Sequence, residues 1–216
     1  MKTDKQLQDD VIAELEWDPI VDSADIGVAV VDGVVSLNGY VPSYSQKLAA
    51  ERAARRVAGV KAIAEEIKVR FASDPHTADH EIARRILDVF KWNAMIPDDR
   101  ITVKVENGWV TLSGETTWHF ESEEASRAAA KISGVKGVSN VISIAKRVAP
   151  GDVRQKIKDA FARQANIDAN TVEIAVDGGK VTLSGHVKAW HERKAAESAA
   201  WAAPGVNQVV DHIAVY

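Results

Sequence analysis

Three of the six histidines, His186, His191 and His212, fall in the last third of the chain and are the side chains best suited to hold a metal. No His-x-x-x-His pair or cluster of carboxylates frames them, so they read as surface residues and no metal site or cofactor is expected. The chain has no cysteine, which excludes a thiolate nucleophile, a disulfide framework and a cysteine-ligated metal. Adjacent acids such as Asp9-Asp10, Glu65-Glu66, Asp98-Asp99 and Glu123-Glu124 diverge on a helix or strand and read as solvated faces, not as a converging acid-base pair. Nucleophile-elbow, phosphate-loop, dinucleotide and zinc-protease motifs are absent from the sequence. A lone Gly-x-x-Gly, Gly134 to Gly137, occurs once and lies between a helix and a strand, not between two helices as an RNA clamp requires. These readings point to a non-enzymatic binding protein with no catalytic residues.

Aromatic side chains offer more. Six tryptophans stand against four phenylalanines and three tyrosines. Tryptophan suits membrane and protein interfaces because its ring is apolar while its N–H can stay wet. The segment from Lys91 to Pro97 predicts an apolar tip of Trp92, Met95 and Ile96 beside Arg84, Arg85, Lys91 and Arg100. Apolar insertion with basic attraction is the physical recipe for reversible binding to anionic phospholipid. A second candidate surface is a sheet face carrying Gly27, Ala29 and Val31, apolar enough to predict cover by another module or a partner chain. Trp118, Phe120 and Trp190 are further interface candidates.

The elements that must position these residues repeat three times. Val35-Ser-Leu-Asn-Gly39, Val110-Thr-Leu-Ser-Gly114 and Val181-Thr-Leu-Ser-Gly185 share one register with the pairs Gly59-Val60, Gly134-Val135 and Gly205-Val206. Spacing by four in Leu7, Val11 and Leu15, in Ile82, Ile86 and Phe90, and in Val153, Ile157 and Phe161 predicts a first helix in each copy. Alternation through Ile26, Val28 and Val30 and its counterparts predicts a strand. The turns at Asp32-Gly33, Asn107-Gly108 and Asp177-Gly178-Gly179 then predict a hairpin into a second strand. An alanine-rich helix and a last strand follow, the latter read through Val60, Ile63, Ile67 and Val69, Val135, Val138, Ile142 and Ile144, and Val206, Val209, Ile213 and Val215. The fold class is thus α+β: three tandem αββαβ modules over 1–70, 78–146 and 149–216, each a three-stranded sheet with two helices on one face. Linkers of about eight residues (70–77) and about four (145–148) predict tighter coupling of the second and third modules.

The element order, the Val-x-Leu-x-Gly strand and the Gly-Val-x-x-Val pattern together resemble the BON domain family. That resemblance implies a non-enzymatic role at the bacterial envelope, associated with osmotic or other stress, with phospholipid surfaces or envelope proteins as partners. The alternative is a soluble interaction scaffold or chaperone-like protein that uses its open sheet faces. A net charge of -4 and a pI near 5.9 argue against nucleic acid, whose binding needs a basic surplus. Nine basic against twelve acidic side chains in residues 1–72 make the first module the one that should avoid an anionic surface. No apolar run reaches the roughly 20 residues of a membrane span. The first ten residues lack the apolar core of a secretory signal. They point to the cytoplasm, with the periplasm typical of such relatives as the alternative if a signal segment has been removed.

Overall fold

The computed structural model describes residues 2–71, 78–146, 152–164 and 171–215. Residues 72–77 of the first linker and 147–148 of the second lie outside them.

Module 1 begins with α1 (Asp4–Trp17), opened by a capping box in which the Thr3 hydroxyl accepts from the Gln6 N–H and the Gln6 side chain accepts from the Thr3 N–H. Its spacing by four buries Leu7, Val11 and Leu15. Strands β1 (Ile26–Val31) and β2 (Val34–Val41) pair antiparallel, α2 (Tyr44–Arg56) crosses over, and β3 (Ala62–Val69) returns parallel to β2. Sheet order is β1-β2-β3. Module 2 repeats this with α3 (Asp79–Trp92), β4 (Ile101–Glu106), β5 (Trp109–Thr116), α4 (His119–Ala129), β6 (Gly137–Asn140) and β7 (Ser143–Ile144). Module 3 does so with α5 (Val153–Arg163), β8 (Val172–Asp177), β9 (Lys180–Val187), α6 (Trp190–Trp201) and β10 (Gln208–Val215). Each second strand points a buried Val and Leu at the helices, and the second helix answers with alanines such as Ala50, Ala53 and Ala54, whose small side chains permit close approach.

Two backbone devices fix this geometry. In modules 1 and 2 a carboxylate at the start of the first helix clasps the hairpin turn. Asp4 accepts from the N–H groups of Asp32 and Gly33 at 2.9 and 3.1 Å, and Asp79 from those of Asn107 and Gly108 at 2.7 and 2.9 Å. The glycine that ends each Val-x-Leu-x-Gly motif, two residues before its strand ends, has φ of 127° at Gly39 and Gly114 and 116° at Gly185. A Cβ there would collide with the carbonyl oxygen of Asp25, Arg100 or Thr171, so backbone passes where a side chain cannot.

The last strands depart from expectation. Glu65, read as a solvated acid, occupies an inward position opposite Leu37 and accepts from the Ile67 N–H and from Lys47, whose ammonium also donates to the Ile67 carbonyl. Asp211 does the same opposite Leu183, accepting from the Ile213 N–H and from Arg193 at 2.8 and 2.7 Å. Module 2 keeps the geometry without charge. Asn140 lies opposite Leu112, accepts from the Ile142 N–H and donates to the Ser122 hydroxyl and carbonyl. Each lock uses up backbone groups that an edge strand would otherwise offer to another chain. In module 2 the last strand is also interrupted at Val141 and Ile142, dividing what the alternation predicts as one strand.

The chain forms two compact units, Met1–Thr116 with Phe120–Ile142 and Thr117–His119 with Ser143–Tyr216. Module 1 and most of module 2 share one unit, in which the Tyr44 ring sits against the module 2 core. Within the second unit His119 stacks on Trp201, ring centroids 4.0 Å apart and planes 8° from parallel.

Candidate functional site

The first helix of module 2 ends on Trp92, 88% exposed, and the next turn projects Met95, 55% exposed. Asn93 shapes that turn. Its side-chain oxygen accepts from the Met95 N–H at 3.0 Å, its carbonyl accepts from the Ile96 N–H at 2.9 Å, and its amide donates to Glu124. The tight turn sends alternate side chains opposite ways, so Ile96 is buried in the module 2 core. This corrects the expectation that Ile96 belongs to the exposed tip.

The basic flank is divided as well. At about 100° per residue, Glu81, Arg85 and Asp88 lie within about 40° of Trp92 around α3, whereas Arg84 and Lys91 lie about 80–100° away. Arg85 pairs with Glu81 at 2.9 Å. Arg100 is exposed and closes the short turn Asp98–Arg100 that leads into β4. The face of α3 that ends on Trp92 thus carries acidic and basic groups together.

Module 1 builds the same tip. Trp17 is 82% and Ile20 54% exposed. Asp18 stands where module 2 has Asn93. Its side chain accepts from the Ile20 N–H at 3.1 Å and its carbonyl from the Val21 N–H at 3.0 Å, which turns Val21 onto the core. Arg56 bridges Glu14 at 2.7 Å and Asp18 at 3.0 Å. The hydrogen bond from Arg56, then that from the Ile20 N–H, holds the Asp18 carboxyl below the usual carboxylate range. Both acids in turn raise Arg56. Ile20 was missed in the sequence because only Trp17 matches module 2 by residue type; the register of Asp18 with Asn93 was the available signal.

The other candidates are placed as follows. Gly27, Ala29 and Val31 are all exposed on the sheet face away from the helices, with the Asn38 amide leaning over Gly27. Across the strands they align with Asn38 and Glu66, Ser36 and Ala64, and Val34 and Ala62. At the end of this face a shallow cavity of about 570 Å³ opens between Tyr40, Lys47 and Lys68. Trp118 is half-buried and Phe120 exposed, while the half-buried Trp190 ring carries the Arg193 guanidinium 5.3 Å from its centroid. His186 and His212 are exposed on one face of module 3 and His191 is exposed on α6. Among the described residues no three His, Asp or Glu side chains gather to hold a metal. Nor is any helix there long and apolar enough to cross a membrane. Trp109, absent from the sequence-based candidates, is 57% exposed. Its ring lies over Gly137, which accounts for the second glycine of the Gly-x-x-Gly. The strongly exposed large apolar side chains among the described residues, from Trp17 to Val141, all lie in modules 1 and 2.

Comparison with known proteins agrees with the repeat. The family model described as the BON domain matches residues 3–70, 78–146 and 151–215. Osmotically-inducible protein Y of Escherichia coli (strain K12) is 30% identical over 129 residues, 56% of this chain and 62% of that protein, so the match spans under two thirds of the relative. A solved structure of CdsD, a structural protein of the type III secretion system of Chlamydia trachomatis, aligns at 13% identity and a TM-score of 0.28 over 98% of this chain and 92% of that one. Its C-terminal domain aligns at 12% and 0.27 over all of both chains. Neither score is high enough to bear on this protein.

Proposed function

Because the chain belongs to the BON domain family, we propose that it is a stress-associated, non-enzymatic binding protein that contacts phospholipid membrane surfaces through module 2. The supporting observation is the tip of Trp92 and Met95, two large apolar side chains held outward by the Asn93 turn. An exposed indole at a helix end suits the interfacial region of a bilayer, where the ring replaces water contacts and the N–H stays hydrated. The name of the osmotically inducible relative supports the association with osmotic stress.

Vesicle flotation tests the membrane reading. The chain is expected to float with phospholipid vesicles, and Trp92→Ala with Met95→Ala to reduce the bound fraction strongly; full binding by that double variant refutes this tip. For the stress association, the protein's abundance in its native host is expected to rise after osmotic upshift, and an unchanged level counts against it.

The exposed face of Gly27, Ala29 and Val31 favours a second reading, an interaction scaffold or chaperone-like protein. In that case Ala29→Asp with Val31→Asp abolishes suppression of client aggregation in the absence of lipid. No suppression by the parent chain, or suppression unaffected by the substitutions, refutes it.

A further inference from the structure

The module 2 tip is not unique. Trp17 and Ile20 repeat Trp92 and Met95 at the same register, with the same turn and comparable exposure. In module 3 the tryptophan position is Arg163, exposed at the end of α5. The two indole tips therefore distinguish modules 1 and 2 from the third copy.

The charge around the indoles is decisive for what they can touch. Around α1, Asp10 and Glu14 lie within about 60° of Trp17. Asp10 is paired with Lys2, while Glu14 and Asp18 share Arg56, with the Arg52 charge also acting on Asp18. On the last turns of α3 the charges next to Trp92 are Lys91 and Asp88, of opposite sign, and farther along the helix Arg85 is paired with Glu81. Acids and bases offset one another at both tips, so an anionic surface would meet no net attraction at either.

We infer that Trp17 and Ile20 form a second membrane foot in addition to Trp92 and Met95, and that both feet seat in zwitterionic phospholipid by indole insertion instead of charge attraction. The inference rests on the membrane reading above and deepens it by naming the headgroup class. Where both feet reach one surface, the second inserts at the effective concentration set by the first.

The test uses the full chain with vesicles of phosphatidylcholine alone and vesicles containing a minor share of phosphatidylglycerol. Far-UV circular dichroism of each variant checks that these exposed substitutions leave the fold intact. Trp17→Ala and Trp92→Ala are each expected to lower the partition coefficient on phosphatidylcholine by about tenfold, the order expected from withdrawing roughly a quarter to a third of an indole's apolar surface. The double variant is expected to lose more than either single one. About 1 M salt, which screens charge beyond about 3 Å, is expected to leave binding unchanged. If Trp92→Ala loses binding and Trp17→Ala does not, the second foot is overturned while the membrane reading stands. Binding confined to phosphatidylglycerol vesicles and lost in salt overturns the headgroup assignment. A parent chain that floats with neither vesicle overturns both the inference and the membrane reading.

Discussion

Removing the acid that locks the edge of module 1 is the sharpest test of how these small sheets are held. Glu65→Ala deletes the acceptor of the Ile67 N–H and the partner of Lys47 together. The two side chains of the pair are 21% and 20% exposed, so solvent screens them only in part. A hydrogen bond to a charged group contributes about 1.5–3 kcal/mol, and an orphaned, mostly buried partner adds to the loss. Lys47 keeps its bond to the Ile67 carbonyl, which moderates that second part. The expected local destabilisation is about 2–4 kcal/mol, or roughly thirty- to a thousandfold faster opening at tenfold per 1.4 kcal/mol. Native-state amide exchange at Ile67 reads this directly, which a chain of several modules requires because one global transition is not assured. Module 2 supplies the control. Lys47→Ser with Glu65→Asn installs the neutral Ser122–Asn140 lock and should restore protection to within about 1 kcal/mol of the parent. Unchanged exchange at Ile67 in Glu65→Ala, or a double variant no better protected than the single one, refutes the lock.

Other consequences are read the same way. Asp18 has a lowered folded-state pKa, so it adds stability above the unfolded value of about 4 and loses it as pH falls through the folded value; Asp18→Asn should flatten the acid limb of module 1 exchange protection. Gly39→Ala should destabilise module 1 by more than about 2 kcal/mol, since strain at positive φ adds to the clash with the Asp25 carbonyl, and denaturant melts of the variant would show it. Asp79→Ala frees the Asn107 and Gly108 N–H groups to solvent and should cost module 2 about 1–2 kcal/mol, seen as faster exchange at those two amides.

Local pattern made most of the fold legible. The residues spaced by four on each first helix are all buried, and the Asp32-Gly33 and Asn107-Gly108 turns take the positive φ that a two-residue hairpin demands. Where the outcome depended on contacts distant in sequence, the pattern was silent or misleading. Glu65 looks solvent-facing by type, and only Lys47, eighteen residues upstream on α2, explains why an acid can turn inward. Ile96 and Met95 are adjacent and similarly apolar, and the Asn93 turn alone decides which is buried. Gly137 suggested a loop motif, yet its lack of a side chain makes room for Trp109, paired with it across the sheet. The candidate tip was legible in Trp92 and Met95; its electrostatics were not, because basic residues close in sequence point to different sides of one helix.

The locks, turn clasps and positive-φ glycines of the second strands act through backbone and inward positions, so they place no demand on the outward residues. Substitution there can proceed without loss of the fold. Trp17, Trp92 and Arg163 share one register, as do Val34, Trp109 and Lys180, and Tyr40, Glu115 and His186. At each of these three registers module 3 carries a charged or titratable side chain, whereas at least one of the first two modules exposes a large apolar one. A scaffold indifferent to these positions would not by itself sort them in this way. The sorting follows if modules 1 and 2 carry the apolar contacts and module 3 is kept from making them.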